Sequence, residues 1–307
     1  MLLRMNPKKR IERFCGDFIP VILGATASGK SSLALETALA TSGEILCCDS
    51  MQLYRGLDRG TAKASPEEQA LVPHHLINTL SIGQKSDIFQ FCTMAEQAVA
   101  DILRRGKRPV LEGGSGLYLH AFLYGLDQLP AKQSLRDELD ARFDNEEHFP
   151  ELCRIMAEKA PLDFQKFGEH RRKLIRAYEV FLLSGKQISE LQSGNRVQRP
   201  GYKQFFLVWD RQELCERIRI RTKQMLASGW IGEAEALIKQ GLLQTPTAWQ
   251  ALGYSLIGEY LKGTFSRDEL EERIVIATRQ YARRQCTWFR NRHPDAEPVM
   301  MPLAQDG

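Results

Sequence analysis

The stretch Gly24-Ala25-Thr26-Ala27-Ser28-Gly29-Lys30-Ser31 constrains this chain more than any other. It fits GxxxxGK[ST], between an apolar run at 18–23 and a stretch of strong helix formers at 31–40. Strand, glycine loop and helix form the context in which such a motif cradles a phosphate. Gly24 and Gly29 let the backbone wrap an anion without a Cβ in the way. Successive N–H groups and the helix N-terminus supply positive potential. Lys30 adds a point charge, and Ser31 offers a hydroxyl oxygen to Mg²⁺. The motif leaves open which phosphates bind and whether a phosphoryl group moves.

The remaining pattern is α/β. Residues 44–48 form a second buried strand ending on Asp49, and 109–111 a third leading into Glu112-Gly113-Gly114. Between them 93–105 reads as helix, with Met94, Ala98 and Ile102 at spacing four. This alternation predicts a P-loop NTPase-like parallel sheet. Residues 131–195 are charged and helical, yet 204–209 is strand-like again, so a helical lobe is inserted into one core. Four segments follow: a basic extension at 1–17, the first part of the core at 18–130, the lobe at 131–195, and core completion with basic C-terminal helices at 196–307.

The chain has 307 residues, 43% hydrophobic and 26% charged, an ordinary globular composition. No apolar run nears the roughly 18 residues of a membrane helix, so no membrane partner is expected. The basic leader lacks the apolar region of a secretory signal, and Glu12 and Asp17 argue against an organelle transit peptide. Seven cysteines, an odd number without a CxxC pair, argue against a disulfide framework or a structural zinc site and point to a reducing compartment, the cytoplasm. A monomer is the expectation.

The net charge of +4 is unevenly spread. Residues 170–223 hold thirteen Lys or Arg against five acids, and 279–292 hold five Arg and no acid. Local basic tracts suit a polyanion, while the plainer reading is solvated helix faces. Arg217, Arg221 and Lys223 on one helix, and Arg279, Arg283 and Arg290 on another, lie away from apolar stripes read as core. Asp49 ends a strand beside the phosphate loop, where ligands of open parallel sheets bind. By position it is a general base, a Mg²⁺ ligand or a helix cap. His74 and His75 are adjacent and point apart, which argues against a metal site. Trp209, Trp230 and Trp249 read as packing.

Several longer stretches are recognisable. Asp49-Ser50-Met51-Gln52-Leu53-Tyr54 through Gly60-Thr61-Ala62-Lys63, Pro73-His-His-Leu76, Gly113-Gly-Ser-Gly-Leu-Tyr118, Arg176-Ala-Tyr-Glu-Val180 and Thr278-Arg-Gln-Tyr-Ala-Arg-Arg-Gln-Cys-Thr-Trp-Phe-Arg290 resemble the bacterial tRNA dimethylallyltransferases, in order, from about 20 to 292. Ser115 stands where that family usually has Thr, Phe167-Gly-Glu-His170 replaces a common HPND run, and Ala64 follows Lys63 in place of Pro.

The resemblance implies that the loop Gly24–Ser31 holds the diphosphate of dimethylallyl diphosphate with Mg²⁺, and that no phosphoryl group moves. The exocyclic N6 of the adenosine 3′ of the tRNA anticodon attacks the allylic carbon. Lys30 and Ser115 serve the leaving group, and Asp49 accepts the amine proton. Asp49, Ser50, Met51, Gln52, Ser115, Arg136, Arg172, Arg176, Gly253 and Tyr254 are expected by resemblance at the tRNA anticodon stem-loop or its entry channel, while Arg217 and Arg283, on the basic stripes, suit diphosphate or tRNA backbone contact. A turn is the plainer reading of Gly253-Tyr254. A small-molecule kinase would explain the phosphate loop but not the lobe or the basic helices. Prenylation of free adenine nucleotides and a non-catalytic RNA-binding NTPase are the other rivals.

Overall fold

The computed structural model describes residues 11–127, 129–168, 170–192 and 197–302. The chain separates into two compact units, Met1–Tyr124 with Gln198–Gly307, and Gly125–Val197. In the first unit the order is β1 (Ile19–Gly24), α1 (Lys30–Thr41), β2 (Gly43–Cys47), α2 (Pro66–Leu71), β3 (His74–His75), α3 (Ile88–Arg104), β4 (Arg108–Gly113) and α4 (Gly116–Tyr124). The second unit holds α5 (Gln133–Phe143), α6 (Phe149–Lys159), α7 (Pro161–Phe167), α8 (Arg171–Ser184) and α9 (Ile188–Leu191). The chain then returns to the first unit through β5 (Tyr202–Trp209), α10 (Arg211–Ala227), α11 (Trp230–Lys239), α12 (Tyr254–Leu261), α13 (Arg267–Arg292) and β6 (Glu297–Met301).

All six strands are parallel, in the order β3-β2-β4-β1-β5-β6. β1 lies in the middle, paired with β4 and β5, so its three central residues are fully buried. The side chains alternate between two cores. Val21, Leu23, Leu46, Leu111 and Phe206 face one side, where α3, α4 and α13 cover them. Ile22, Ile45, Val110, Phe205 and Leu207 face the other, against Leu33, Ala34 and Ala38 of α1. Burial on both faces is why these strands read as continuous apolar runs rather than as alternation.

Three details differ from the sequence reading. The buried face of α3 is Phe91, Ala95, Val99 and Ile102, with Met94 and Ala98 flanking it half-buried. The helix turns its Phe91 side to the core because the ring seats edge-on against Tyr118 at 4.8 Å. β3 and β6 carry no clear strand signal in the sequence. Residues 11–17, assigned to the N-terminal extension, lie on the sheet, where Phe14 is fully buried edge-on to Phe205 at 4.7 Å. Residues 1–10 lie outside the described residues.

The second unit has its own core of Leu139, Phe143, Leu152, Met156, Leu174, Ile175 and Val180. Asp163 is fully buried there and accepts from the backbone of Ile188 at 2.7 Å and Ser189 at 2.9 Å, fixing the start of α9. The departure at 167–170 falls at the end of α7; within it Glu169 lies outside the described residues.

Candidate active site

The phosphate loop runs from the carboxyl end of β1 into α1, and its neighbours hold its shape. A Cβ at Gly24 would lie 2.4 Å from Ser28 Oγ and 3.2 Å from Ser28 Cβ, so a larger residue would displace Ser28 in the loop. Gly29 has φ 85°, the left-handed region glycine enters freely. Ala27 takes φ 63°, and its carbonyl accepts from Arg217 Nε at 2.8 Å. Trp209 Nε1 donates to Ser28 O at 2.9 Å, and the Arg217 guanidinium lies 4.3 Å from the Trp209 ring centroid. On the other flank, Thr26 N donates to Gln285 Oε1 at 2.9 Å, and Gln285 Nε2 donates to Gly114 O at 2.8 Å. One buried amide on α13 thus ties the loop to the turn after β4.

A cavity of about 480 Å³ opens over the loop, lined by Gly29, Lys30, Ser31, Glu112, Arg217 and Arg221. Burial pulls the pKa values of Lys30, Arg221 and Arg217 down from their ordinary values. Sequestered cations around open space favour an anion there, because desolvation strengthens every opposite charge that enters. Glu112, at the end of β4, is 3% exposed, and its Oε2 accepts from Ser31 Oγ at 3.2 Å. Burial pushes its carboxyl pKa up, while Lys30 draws it back. Ser31 Oγ and this carboxylate are hard oxygen donors of the kind Mg²⁺ prefers.

A second cavity, about 370 Å³, adjoins it and shares Ala27, Lys30, Ser31, Gln52, Ala62 and Arg221. Asp49 and Thr26 line its polar wall; Met51, Ile218, Met225, Trp230, Leu252 and Ile274 supply apolar surface. Asp49 Oδ1 accepts from Met51 N at 2.9 Å, which shapes the turn after β2 and leaves Oδ2 out of that bond. Tyr281 faces the carboxylate: burial first, and Asp49's charge second, push its phenol pKa up. Ser115 Oγ accepts from Ser50 N at 3.0 Å. Gln52 is nearly buried, and its Nε2 donates to Thr61 O at 3.2 Å.

The residues expected from the sequence therefore divide. Gly24 to Ser31, Asp49, Ser50, Met51, Gln52 and Ser115 come together. Arg217, on a stripe that suits diphosphate or tRNA backbone, bonds Ala27 O and lies on the wall of the cavity over the phosphate loop. Ser115, expected on the leaving group, also accepts from Ser50 N at its hydroxyl oxygen, in the turn that carries Asp49. Tyr254 is fully buried and donates to Glu233 Oε1 at 2.6 Å, so its ring is core and does not present a surface to RNA. Gly253 at φ 93° begins α12; a Cβ there would lie 2.4 Å from the Trp230 ring. Arg136 and Arg176 both clamp the buried Glu179, at 2.6 Å each, and Arg172 is exposed; all three belong to the second unit. Arg283 is exposed on α13. His75 Nε2 pairs with Glu44 Oε2 at 2.7 Å while His74 Nδ1 meets Val72 O at 2.7 Å, so the two imidazoles do diverge.

Gln285, Glu112, Arg221 and Tyr281 are site residues that motif reading did not single out. Arg221 lay on a basic stripe, and Tyr281 and Gln285 lay inside the recognised Thr278–Arg290 stretch, so a signal existed for three of them.

Comparison with known proteins identifies the family. The IPP transferase family model matches residues 52–292. The chain belongs to that family. A tRNA dimethylallyltransferase of Methylococcus capsulatus is 41% identical over 280 residues, covering 89% of each chain, and one of Thermus thermophilus is 37% identical, covering 92% of each. The crystal structure of a full-length tRNA isopentenylpyrophosphate transferase from Bacillus halodurans superposes with a TM-score of 0.67 at 32% identity, covering 93% of this chain and 90% of that one. A eukaryotic dimethylallyltransferase acting on tRNA superposes with a TM-score of 0.77 at 24% identity, which bears on the fold alone. Among the described residues, no helix is long and apolar enough to cross a membrane.

Proposed function

We propose that this IPP transferase family member moves a dimethylallyl group from dimethylallyl diphosphate to the N6 amine of the adenosine 3′ of the tRNA anticodon. The observation that carries the reading is the junction of two cavities: a cation-lined one over the phosphate loop, and a partly apolar one that holds Asp49, with Lys30, Ser31 and Arg221 in the shared wall. A diphosphate suits the first, and a prenyl tail meeting a flat base suits the second.

In this reading the loop N–H groups, Lys30, Arg217 and Arg221 hold the diphosphate and take up charge as the allylic C–O bond breaks. Mg²⁺, held at Ser31, would supply further charge neutralisation on the leaving oxygens. The amine nitrogen forms its bond to the allylic carbon, diphosphate departs with the electron pair, and the N6 proton passes to Asp49. The Asp49 carboxylate also stabilises the positive charge that builds on the allyl group. Gln52, with its amide fixed by Thr61, suits an adenine edge. Extruding the base from its stack costs a few kcal/mol, which tRNA contacts along α10, α13 and the second unit offset. Every residue named in this reading belongs to one chain.

Asp49→Asn tests the base. It keeps the size and the acceptor for Met51 N but removes basicity, so single-turnover prenylation should slow by about 10²–10⁴-fold. Donor and tRNA affinities should change little. A native chemical step would leave the proton to water or to diphosphate and remove Asp49 from the mechanism.

A further inference from the structure

A buried glutamate beside a phosphate loop needs a reason. Glu112 adds a negative charge to a cavity whose anion ought to repel it, and a buried carboxylate is costly unless paired or bound to a metal. Its direct hydrogen bonds are to neutral donors, Ser31 Oγ at 3.2 Å and the Cys47 thiol. Lys30 and Arg221 lie near enough to act on its charge, yet both are also cavity-wall residues suited to the diphosphate. A cation placed between carboxylate and diphosphate would turn that repulsion into attraction.

The spacing fits one. Mg²⁺ binds oxygen at about 2.0–2.1 Å in near-ideal octahedral geometry, so two neighbouring ligand oxygens lie roughly 3 Å apart. Ser31 Oγ and Glu112 Oε2 are 3.2 Å apart at the cavity wall. The two residues are brought together by the fold: β1 and β4 are neighbouring parallel strands, with Ile22 opposite Glu112, and Ser31 follows in the first turn of α1. Mg²⁺ also keeps waters and uses substrate phosphate oxygens, so one carboxylate and one hydroxyl are a sufficient protein share. Among the described residues no group of three or more His, Cys, Asp or Glu is placed to hold a metal, so a site of this kind must draw on the diphosphate.

We propose that Glu112 is the second protein ligand of the divalent cation, completing with Ser31 Oγ and diphosphate oxygens a site that forms only when the prenyl donor or pyrophosphate is present. This rests on the donor reading above. It explains why the metal and the donor should bind together: each neutralises charge that opposes the other.

The test uses Mn²⁺ as the metal and inorganic pyrophosphate as the anion, with bound Mn²⁺ counted by electron paramagnetic resonance on the full chain. Native protein should bind Mn²⁺ weakly alone and more tightly with pyrophosphate. Glu112→Gln, which keeps size and a hydrogen-bond acceptor, should weaken Mn²⁺ binding in the presence of pyrophosphate by at least the roughly 10–100-fold that losing an outer-shell partner costs. Metal-free pyrophosphate binding by Glu112→Gln should be as strong as native or stronger. Glu112→Leu, which removes the buried polar group at 112 and leaves Ser31 Oγ to the cavity, should show the same Mn²⁺ loss and covers the case in which the amide does not fold. Unchanged Mn²⁺ affinity in a folded variant overturns the proposal and makes Glu112 a counter-ion of Lys30 and Arg221. A native protein that binds no pyrophosphate, with or without metal, overturns the donor reading and this proposal together.

Discussion

Gln285 joins the two ends of the site, so its replacement should be felt in both stability and catalysis. The side chain is 6% exposed and makes two hydrogen bonds across the fold, to Thr26 N and to Gly114 O. Gln285→Leu fills a similar volume and leaves both backbone groups without that partner. An orphaned buried group costs about 1–3 kcal/mol. Thr26 borders the 370 Å³ cavity, where water can reach it, so the low end applies to its amide. The carbonyl of Gly114 is packed against Gln285 itself and takes the middle of the range. The total comes to about 2–4 kcal/mol, a large share of the 5–15 kcal/mol typical of a folded domain. The loop also loses a brace, and a misplacement of about 1 Å can cost about 10²-fold in rate. Urea titration followed by tryptophan fluorescence gives the first quantity, and steady-state kinetics at varied donor concentration the second. Gln285→Glu separates the bonds, because it keeps the acceptor for Thr26 but sets an oxygen against Gly114 O. Stability within about 0.5 kcal/mol of native, with KM and kcat unchanged, would refute the reasoning.

Two further outcomes follow from charge. Glu44 is buried beneath Arg105 and His75, and the Arg105 hydrogen bonds hold its carboxyl pKa down at about 2 against an ordinary 4.5; burial holds the His293 imidazole at about 4 against 6.5. Both folded-state values are depressed, so each contribution is full above the unfolded value and is lost on acidification, His293 between about 6.5 and 4 and Glu44 between about 4.5 and 2. At 1.36 kcal/mol per pH unit each is worth on the order of 3 kcal/mol; thermal melts should drop in those two windows, and His293→Gln should flatten the upper one. Arg283 is exposed on α13, so Arg283→Glu should weaken tRNA binding and lower the log–log salt slope by about 1 while leaving pyrophosphate binding native; a slope that stays native would take the RNA backbone away from that residue.

The parts legible in the sequence are those in which local chemistry dictates residue type. Gly24 and Gly29 are required by the loop's own geometry, and the runs at β1, β2, β4 and β5 are apolar because both faces of a parallel sheet are covered. β3 carried no such signal, since two histidines held by Glu44 and Val72 O do not look like a strand. β6 is an edge strand with Pro298 and the exposed Met300, so its pattern is weak. Gln285 and Glu112 escaped for a different reason. Their partners lie far along the chain, 259 residues from Gln285 to Thr26 and 81 from Glu112 to Ser31, and only the folded sheet makes them neighbours. Tyr254 shows the converse. A tyrosine in a glycine turn looks like an RNA contact, but burial decides, and here its partner is Glu233.

The central claim is that the phosphate loop holds a prenyl donor for transfer to tRNA, and one reaction tests it. Purified protein is incubated with dimethylallyl diphosphate, Mg²⁺ and unmodified tRNA, and the digested nucleosides are analysed by mass spectrometry, with parallel reactions that offer free AMP in place of tRNA or ATP in place of the donor. The account predicts N6-dimethylallyladenosine from the tRNA, at the position 3′ of the anticodon, with release of pyrophosphate. Unmodified tRNA alongside prenylated AMP, or alongside phosphate transfer from ATP, would contradict it.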